Sequence, residues 1–252
     1  MMFNPHIEVF VNSLAMSHAA AEHFQQSATR AVSARGRFLA ALSGGSTPQE
    51  LYGLLAQFPY RDLLSWERIH FFWGDERCVP PAHPESNYGQ ATRTFLDQVP
   101  VPAENIHRVR GELEPAAGAR DYAHQLQQYA SEVLAWPQFD WVLLGLGADG
   151  HTASLFPGSI SPGEKESPVI AVTANYQGRP ANRVTLTPLA FNSARNIVFL
   201  VTGKSKAETL AAVLAGPLDP QRWPVHRISP SDGSVSWLVD EAAASRLPRP
   251  VA

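Results

Sequence analysis

The sequence contains one cysteine, Cys78, among 252 residues, and charged residues make up only 17% of the chain. A single cysteine cannot form an internal disulfide, and it also argues against a zinc site. The 20 basic and 23 acidic residues leave none of the positive surplus that nucleic-acid-binding proteins carry. No apolar run reaches the roughly 18 residues of a membrane-spanning helix. These features predict neither a nucleic-acid partner nor a membrane partner.

The first ten residues also lack a basic segment followed by an apolar core, so no secretory signal is indicated. Together with the sparse cysteine, this favours a cytoplasmic location. Hydrophobic residues make up 44% of the chain, which excludes a disordered or collagen-like protein. We expect a single α/β domain over residues 1–252, since such folds often reach about 250 residues as one unit.

Apolar runs of strand length alternate with segments of helical periodicity along most of the chain. Strands are expected at residues 7–11, 38–42, 69–73, 141–146, 169–173, 183–187, 197–202 and 236–239. Helices are expected at 14–33, from 47 onwards, at 87–96, 116–134 and 204–215, and an irregular loop at 74–86. This order predicts a three-layer, Rossmann-like α/β fold with a mostly parallel sheet and helices on both faces.

Four polar segments that contain glycine follow predicted strands directly: residues 43–46, 74–77, 145–151 and 203–206. Ligands of open α/β sheets bind at the carboxyl ends of the strands, near a point where the strand order reverses. We therefore expect these segments to meet at one rim of the sheet.

The first segment has the features of an anion-binding loop. Gly44 and Gly45 let the backbone approach an anion, and the helix that follows offers free N–H groups. The hydroxyls of Ser46 and Thr47 add donors, and Thr47 is expected to cap the helix, with Pro48 in its first turn. The alternative is a tight glycine turn with a threonine cap. The loop is not a Walker motif, because the Gly-Lys-Ser/Thr ending is missing.

The third segment formally matches the dinucleotide fingerprint G-x-G-x-x-G, but that interpretation is rejected. Asp149 places a carboxylate where a pyrophosphate needs neutral donors, and no acidic residue follows at the distance that reads a ribose hydroxyl. The segment suits proton transfer better, because His151 follows a buried strand and imidazole is the side chain best matched to general base work near neutrality. Asp149 is predicted to orient His151. The alternative is a structural or merely exposed loop histidine.

Charged residues at the other strand ends complete the candidate site. Arg77 is predicted to clamp an anionic group with its planar guanidinium, although a surface turn with local ion pairs is the alternative. Cys78 is considered as a nucleophile beside His151, but a small packing residue is the favoured interpretation. Arg183 and Lys206 are surface charges if taken alone. Together with the glycine loop, they suit a phosphorylated ligand.

These segments, in this order, resemble the 6-phosphogluconolactonase family. The matching stretches are LSGGSTP from Leu42, WGDERCVP from Trp73, SNYG from Ser86, LLGLGADGHTASLFPGS from Leu143, RVTLT from Arg183 and VTGKSKAETL from Val201. They span residues 40–215. The resemblance implies a fold of the glucosamine-6-phosphate deaminase/6-phosphogluconolactonase type. It also implies hydrolysis of 6-phosphoglucono-δ-lactone to 6-phosphogluconate in the oxidative pentose phosphate pathway, without a metal or organic cofactor.

The resemblance also suggests roles for the site residues. His151 would activate water, Asp149 would hold His151, and Arg77 or the N–H groups of Gly44 and Gly45 would stabilise the developing negative charge. The phosphate would be bound by Ser46, Arg183 and Lys206. Asp75 would bind sugar hydroxyls or order Arg77. The sequence leaves a monomer and a small homo-oligomer both open.

Two rival functions remain at this stage. In the related deaminases, a glutamate five residues beyond the histidine assists ring opening, and here that position is Phe156. This difference disfavours an amino-sugar phosphate deaminase or isomerase. The other rival is a non-catalytic sugar-phosphate sensor. It is disfavoured because the chain has neither spare length nor basic charge for a DNA-binding module.

Overall fold

The computed structural model describes residues 6–248, in which nine strands form two separate sheets. The strands are β1 (His6–Phe10), β2 (Phe38–Leu42), β3 (Ile69–Trp73), β4 (Asp75–Arg77), β5 (Trp141–Gly145), β6 (Val169–Thr173), β7 (Asn182–Leu186), β8 (Asn196–Val201) and β9 (Ser234–Asp240). Six of them form a parallel sheet in the order β1-β9-β8-β5-β2-β3. Strand β2 is buried along its whole length, as a strand covered on both faces requires.

The helices are α1 (Ser13–Arg35), α2 (Thr47–Leu55), α3 (Tyr60–Leu63), α4 (Asn87–Thr94), α5 (Pro115–Gln127), α6 (Gly163–Glu166), α7 (Pro188–Phe191), α8 (Ala207–Ala215) and α9 (Glu241–Ala244). In α1, the Asn12 side chain accepts the N–H of Ala15, and Gly36 ends the helix with a φ of 74°. Phe24 of α1 packs edge-on against Phe38 and Trp141. This packing ties the helix to the sheet. Within residues 6–248, no helix is both long and apolar enough to cross a membrane.

The second sheet is antiparallel, with the order β4-β7-β6. The expectation of an irregular loop over residues 74–86 is therefore wrong at its start, where Asp75–Arg77 forms β4. Three consecutive charged residues do not resemble a strand in the sequence, yet all three are buried here. Their burial depends on partners supplied by α4 and by β7, which the local sequence does not reveal.

Two helix boundaries also differ from expectation. Helix α5 ends at Gln127 rather than at residue 134. The Ser131 hydroxyl accepts the N–H groups of Val133 and Leu134, which gives the backbone partners outside a helix. Thr47 does not cap α2 but is its first residue, and the side chain of Ser46, which precedes it, makes no capping hydrogen bond. The Thr47 hydroxyl instead lies 3.3 Å from the hydroxyl of Thr202.

The strand order places a switch point between β2 and β5. From β2 the chain continues outward to β3 on one side, whereas from β5 it continues to β8 and β9 on the other. The loops that leave β2 and β5 therefore diverge and leave a crevice between them at the carboxyl ends of the strands.

His70 and His107, which lie outside this crevice, form a pair from which we predict how the free energy of unfolding depends on pH. His70 Nδ1 lies 3.2 Å from His107 Nε2, and the His107 ring stacks on Phe72. Burial, and secondarily the charge of His70, lowers the pKa of His107 from 6.5 to about 4. A lowered pKa means that the folded state favours neutral His107. Its contribution to stability is therefore present above pH 6.5 and lost as the pH falls towards 4.

We expect the free energy of unfolding to fall between pH 6.5 and pH 4, and to fall less steeply in His107→Phe, which keeps the ring stacked but removes the titration. Urea unfolding at a series of pH values measures both slopes. Equal slopes in the two proteins would show that His107 does not contribute to this dependence.

Candidate active site

A cleft of about 200 Å³ lies at the carboxyl ends of β2, β5 and β8. Nine residues were given a role in the candidate site, and all of them except Asp149 line this cleft: Gly44, Gly45, Ser46, Asp75, Arg77, His151, Arg183 and Lys206. All four of the glycine-containing segments therefore contribute to one cleft.

The carboxylate of Asp149 binds the Nδ1 atom of the His151 imidazole. Asp149 Oδ1 lies 2.6 Å from His151 Nδ1 and also accepts the backbone N–H of His151 at 3.2 Å. Burial raises the pKa of the Asp149 carboxyl, but the hydrogen bond and charge of His151 outweigh it, so the pKa lies below its ordinary value. An ionised Asp149 can only accept a hydrogen bond, so the Nδ1 atom of His151 carries the proton. The Nε2 atom is then the free acceptor.

The turn before His151 depends on a glycine that lets the dyad lie close to the backbone. The N–H of Gly147 donates to the carbonyl of His151 at 2.8 Å, which closes the turn. A Cβ atom at position 147 would lie 2.1 Å from His151 Nδ1 and 2.6 Å from Asp149 Oδ1. Only glycine therefore fits between the strand end and the dyad.

Gly147→Ala should displace the dyad and lower the turnover of whatever reaction it catalyses by about 10²-fold, the cost of misplacing a catalytic group by roughly 1 Å. Gly53→Ala in α2 is the matched control, because a Cβ there meets nothing within 4 Å. Steady-state kinetics of both variants, with melting temperatures alongside, check the expectation. Turnover as high as in the control would show that the close approach of Gly147 is unimportant.

Two aromatic rings hold the other faces of the His151 imidazole. The ring of Phe156 lies 4.8 Å from it, and the ring of Tyr176 lies 4.6 Å away in an edge-on arrangement. Phe156 therefore packs directly on the histidine. Tyr176 belongs to the β6–β7 hairpin. The sequence analysis did not identify it as a site residue, and the only local feature is the turn glycine two residues later, Gly178.

Arg183 is a buried cation, two of whose side-chain nitrogen atoms have no hydrogen-bond partner among residues 6–248. Arg183 is 2% exposed, and the two atoms are Nε and Nη2 of its guanidinium group. The guanidinium carbon lies 5.3 Å from the centre of the Phe156 ring. Burial lowers its pKa, and the charges of Asp75, which raises it, and of Arg77, which lowers it, act in addition. A buried, unpaired guanidinium that lines a cleft is a strong site for an anion.

Lys206 and Ser46 add further donors. Lys206 lies in a 3₁₀ turn that precedes α8 and is half-buried, and burial lowers the pKa of its ammonium group while the Asp149 charge raises it. Ser46 precedes α2, but its side chain makes no capping hydrogen bond, so its exposed hydroxyl is free to face the cleft. Gly45 adopts a φ of 93°, a conformation that glycine tolerates.

The second segment lies at the cleft, but its charged side chains already have partners within the protein. Arg77 Nη1 binds the carbonyl oxygen of Glu85 at 2.8 Å and its carboxylate at 3.1 Å, so this guanidinium already has an anionic partner. Within residues 6–248, no hydrogen bond joins the carboxylate of Asp75 to Arg77. This carboxylate accepts the hydroxyl of Ser154 at 2.6 Å and the side-chain amide of Asn87 at 3.2 Å.

Glu76 and Asn87 connect β4 to the start of α4 and to the glycine loop. The carboxylate of Glu76 accepts the N–H groups of Asn87 and Tyr88 at the start of α4, and burial raises its pKa to about 7 despite these bonds. Asn87 then packs so tightly on the glycine loop that a Cβ at position 44 would lie 1.8 Å from its Oδ1 atom. In the sequence, Asn87 was indicated only as part of the SNYG stretch that resembles the family.

Cys78 has the properties of a packing residue. Burial, with the charges of Glu76 and Glu114, raises the pKa of its thiol to about 11. A thiol that stays protonated at neutral pH is a poor nucleophile. Among residues 6–248, no three histidine, cysteine or acidic side chains cluster in a way that could hold a metal ion.

The sequence profile of the family described as glucosamine-6-phosphate isomerases/6-phosphogluconolactonase matches residues 12–237. The chain belongs to this family. A 6-phosphogluconolactonase from Synechocystis sp. is 40% identical over 247 residues, which cover 96% of this chain and 98% of that protein.

Solved structures give the same result for the fold. The 6-phosphogluconolactonase from Trypanosoma brucei matches with a TM-score of 0.84 at 31% identity, covering 98% of this chain and 100% of that one. A monomeric glucosamine-6-phosphate deaminase matches with a TM-score of 0.82 at 21% identity, covering 96% of this chain and 99% of that one. The family and the fold type expected from the sequence motifs are thereby confirmed.

Proposed function

We propose that the protein hydrolyses 6-phospho-D-glucono-1,5-lactone to 6-phospho-D-gluconate, the lactonase step of the oxidative pentose phosphate pathway. The observation that carries this proposal is that His151, which Asp149 binds through Nδ1, lines the same cleft as the cations Arg183 and Lys206. A base and an anion site in one cleft suit a substrate that carries an ester at one end and a phosphate at the other.

The dyad supplies the chemistry of the reaction. A lactone is already an activated ester, so a positioned water, a base and stabilisation of the oxyanion are sufficient. Nε2 of His151 takes a proton from the water as its oxygen attacks the ring carbonyl. The C1–O5 bond then breaks, and the same imidazole returns the proton to the departing ring oxygen. Asp149 keeps Nδ1 protonated and stabilises the imidazolium that forms between the two steps.

The oxyanion is assigned to the N–H group of Gly44, which lies ahead of α2, because the N–H group of Gly45 already donates to Gln90 Oε1 at 3.3 Å. Arg77 was the other candidate, but its Nη1 atom is held by Glu85, which supports the glycine loop for this role. The phosphate is assigned to Arg183, Lys206 and Ser46. This remote contact orients the lactone, a contribution worth up to several kcal/mol of the barrier.

Phe156 favours lactone hydrolysis over deamination or isomerisation. Ring opening of an amino sugar needs an additional proton donor or acceptor beside the histidine. The position that would carry one instead holds a phenyl ring, which packs 4.8 Å from the imidazole. A phenyl ring transfers no proton, but it suits a reaction in which the imidazole is the single acid–base group.

A coupled assay that follows 6-phosphogluconate with its dehydrogenase tests the proposal. Freshly prepared lactone should disappear at a rate proportional to protein concentration and above spontaneous hydrolysis. Glucosamine 6-phosphate should release no ammonia. Ammonia release would favour the deaminase, and binding of either sugar phosphate without turnover would favour the sensor.

A further inference from the structure

Three of the residues that line the cleft are arginines, and the carboxylate of Glu85 lies beside them. Arg77, Arg179 and Arg183 all line the cleft, and Glu85 faces two of them. Its Oε2 atom lies 3.1 Å from Arg77 Nη1 and 3.7 Å from Arg179 Nη1. The first contact is a hydrogen bond, whereas the second is an ion pair at a distance too long for one.

Arg179 has the freedom to change partner. Its side chain is 40% exposed, whereas that of Arg77 is 7% exposed. It ends the turn of the β6–β7 hairpin, where its N–H donates to the carbonyl of Tyr176 at 3.0 Å. Gln177 and Gly178 at the centre of this turn have φ values of 53° and 68°. The same turn therefore carries Arg179 at one end and, at the other, the Tyr176 ring that contacts His151.

The charge of Arg179 acts on the two cations assigned to the phosphate. Burial is the main cause that lowers the pKa of Arg183 and of Lys206, and Arg179 lowers both further, whereas Glu85 raises that of Arg183. Arg179 thus belongs to the same cationic group, and Glu85 is the carboxylate that offsets its repulsion. A dianionic phosphate at this place would do the same more strongly.

We propose that Glu85 is an internal counter-anion that the phosphate of the substrate displaces, so that Arg179 turns from Glu85 to the phosphate. Arg179 is then an additional phosphate-binding residue. This inference rests on the proposed function, because it takes a phosphorylated lactone as the ligand.

Binding of inorganic phosphate, measured by calorimetry on the full chain, tests the inference without turnover. Glu85→Gln removes the charge but keeps the carbonyl contact to Arg77, so phosphate should bind roughly three- to tenfold more tightly. Arg179→Gln should bind it roughly tenfold more weakly. In the double variant, Glu85→Gln should no longer increase the affinity for phosphate, because Arg179, which it would release, has been replaced.

Glu112→Gln is the matched control, because Glu112 is also paired with an arginine, Arg108, at 2.7 Å, but does not line the cleft. It should leave phosphate affinity unchanged. Unchanged or weaker binding by Glu85→Gln, or unchanged binding by Arg179→Gln, would overturn the inference. Phosphate binding that behaves as expected in a protein without lactonase activity would contradict the proposed function alone.

Discussion

Replacing His151 by asparagine is expected to lower kcat for the phosphorylated lactone by roughly 10²–10⁴-fold, the usual cost of losing a general base. Asparagine can still accept a hydrogen bond from water but cannot take its proton. KM should change little, because the cations that bind the phosphate are untouched. The coupled assay, corrected for spontaneous hydrolysis, measures both constants.

His124→Asn is the control, because His124 is an exposed residue of α5 that does not line the cleft. Asp149→Asn should also lower kcat, since an amide can bind Nδ1 in either orientation and no longer fixes which nitrogen carries the proton. Turnover by His151→Asn equal to that of the control would remove His151 from the mechanism.

Replacing Arg183 or Lys206 by glutamine is expected to raise KM for the phosphorylated lactone by roughly 10–100-fold, the cost of one charge-assisted hydrogen bond. Hydrolysis of unphosphorylated glucono-δ-lactone should be nearly unaffected, because that substrate offers nothing for these cations to bind. The ratio of kcat/KM for the two lactones is the quantity to measure.

Lys204 provides a control from the same 3₁₀ turn, because it is exposed and does not line the cleft. Lys204→Gln should leave the ratio unchanged. Since Arg183 is buried, its variant is compared with Lys206→Gln, whose half-buried side chain is replaced with less disturbance. Equal losses on both lactones in Lys206→Gln would refute the assignment of this residue to the phosphate.

The central sheet could be predicted from the sequence because its strands are nearly continuous apolar runs between polar segments. The bounds of β2 and β3 agree with expectation at both ends. The convergence of the glycine-containing segments followed from the same reasoning, since parallel strands share one carboxyl edge. Topology, rather than any single motif, thus located the cleft.

The second sheet and several contacts at the cleft could not be predicted in this way. Strand β4 consists of charged residues whose burial depends on α4 and β7, which follow later in the chain. Tyr176 contacts His151 and Glu85 faces Arg179 only because the chain folds, and neither spacing nor periodicity reports such contacts. Arg77 was correctly placed at the cleft, but its pairing with Glu85 depends on the same tertiary geometry.

The central claim is that one sugar ester spans the cleft, with its carbonyl carbon beside His151 and its phosphate on Arg183 and Lys206. A crystal structure of the protein with the product 6-phosphogluconate bound tests it most directly. The account predicts the C1 carboxylate within hydrogen-bond reach of His151 Nε2 and the phosphate in contact with both cations. A product bound in the reverse direction, or outside this cleft, would contradict it.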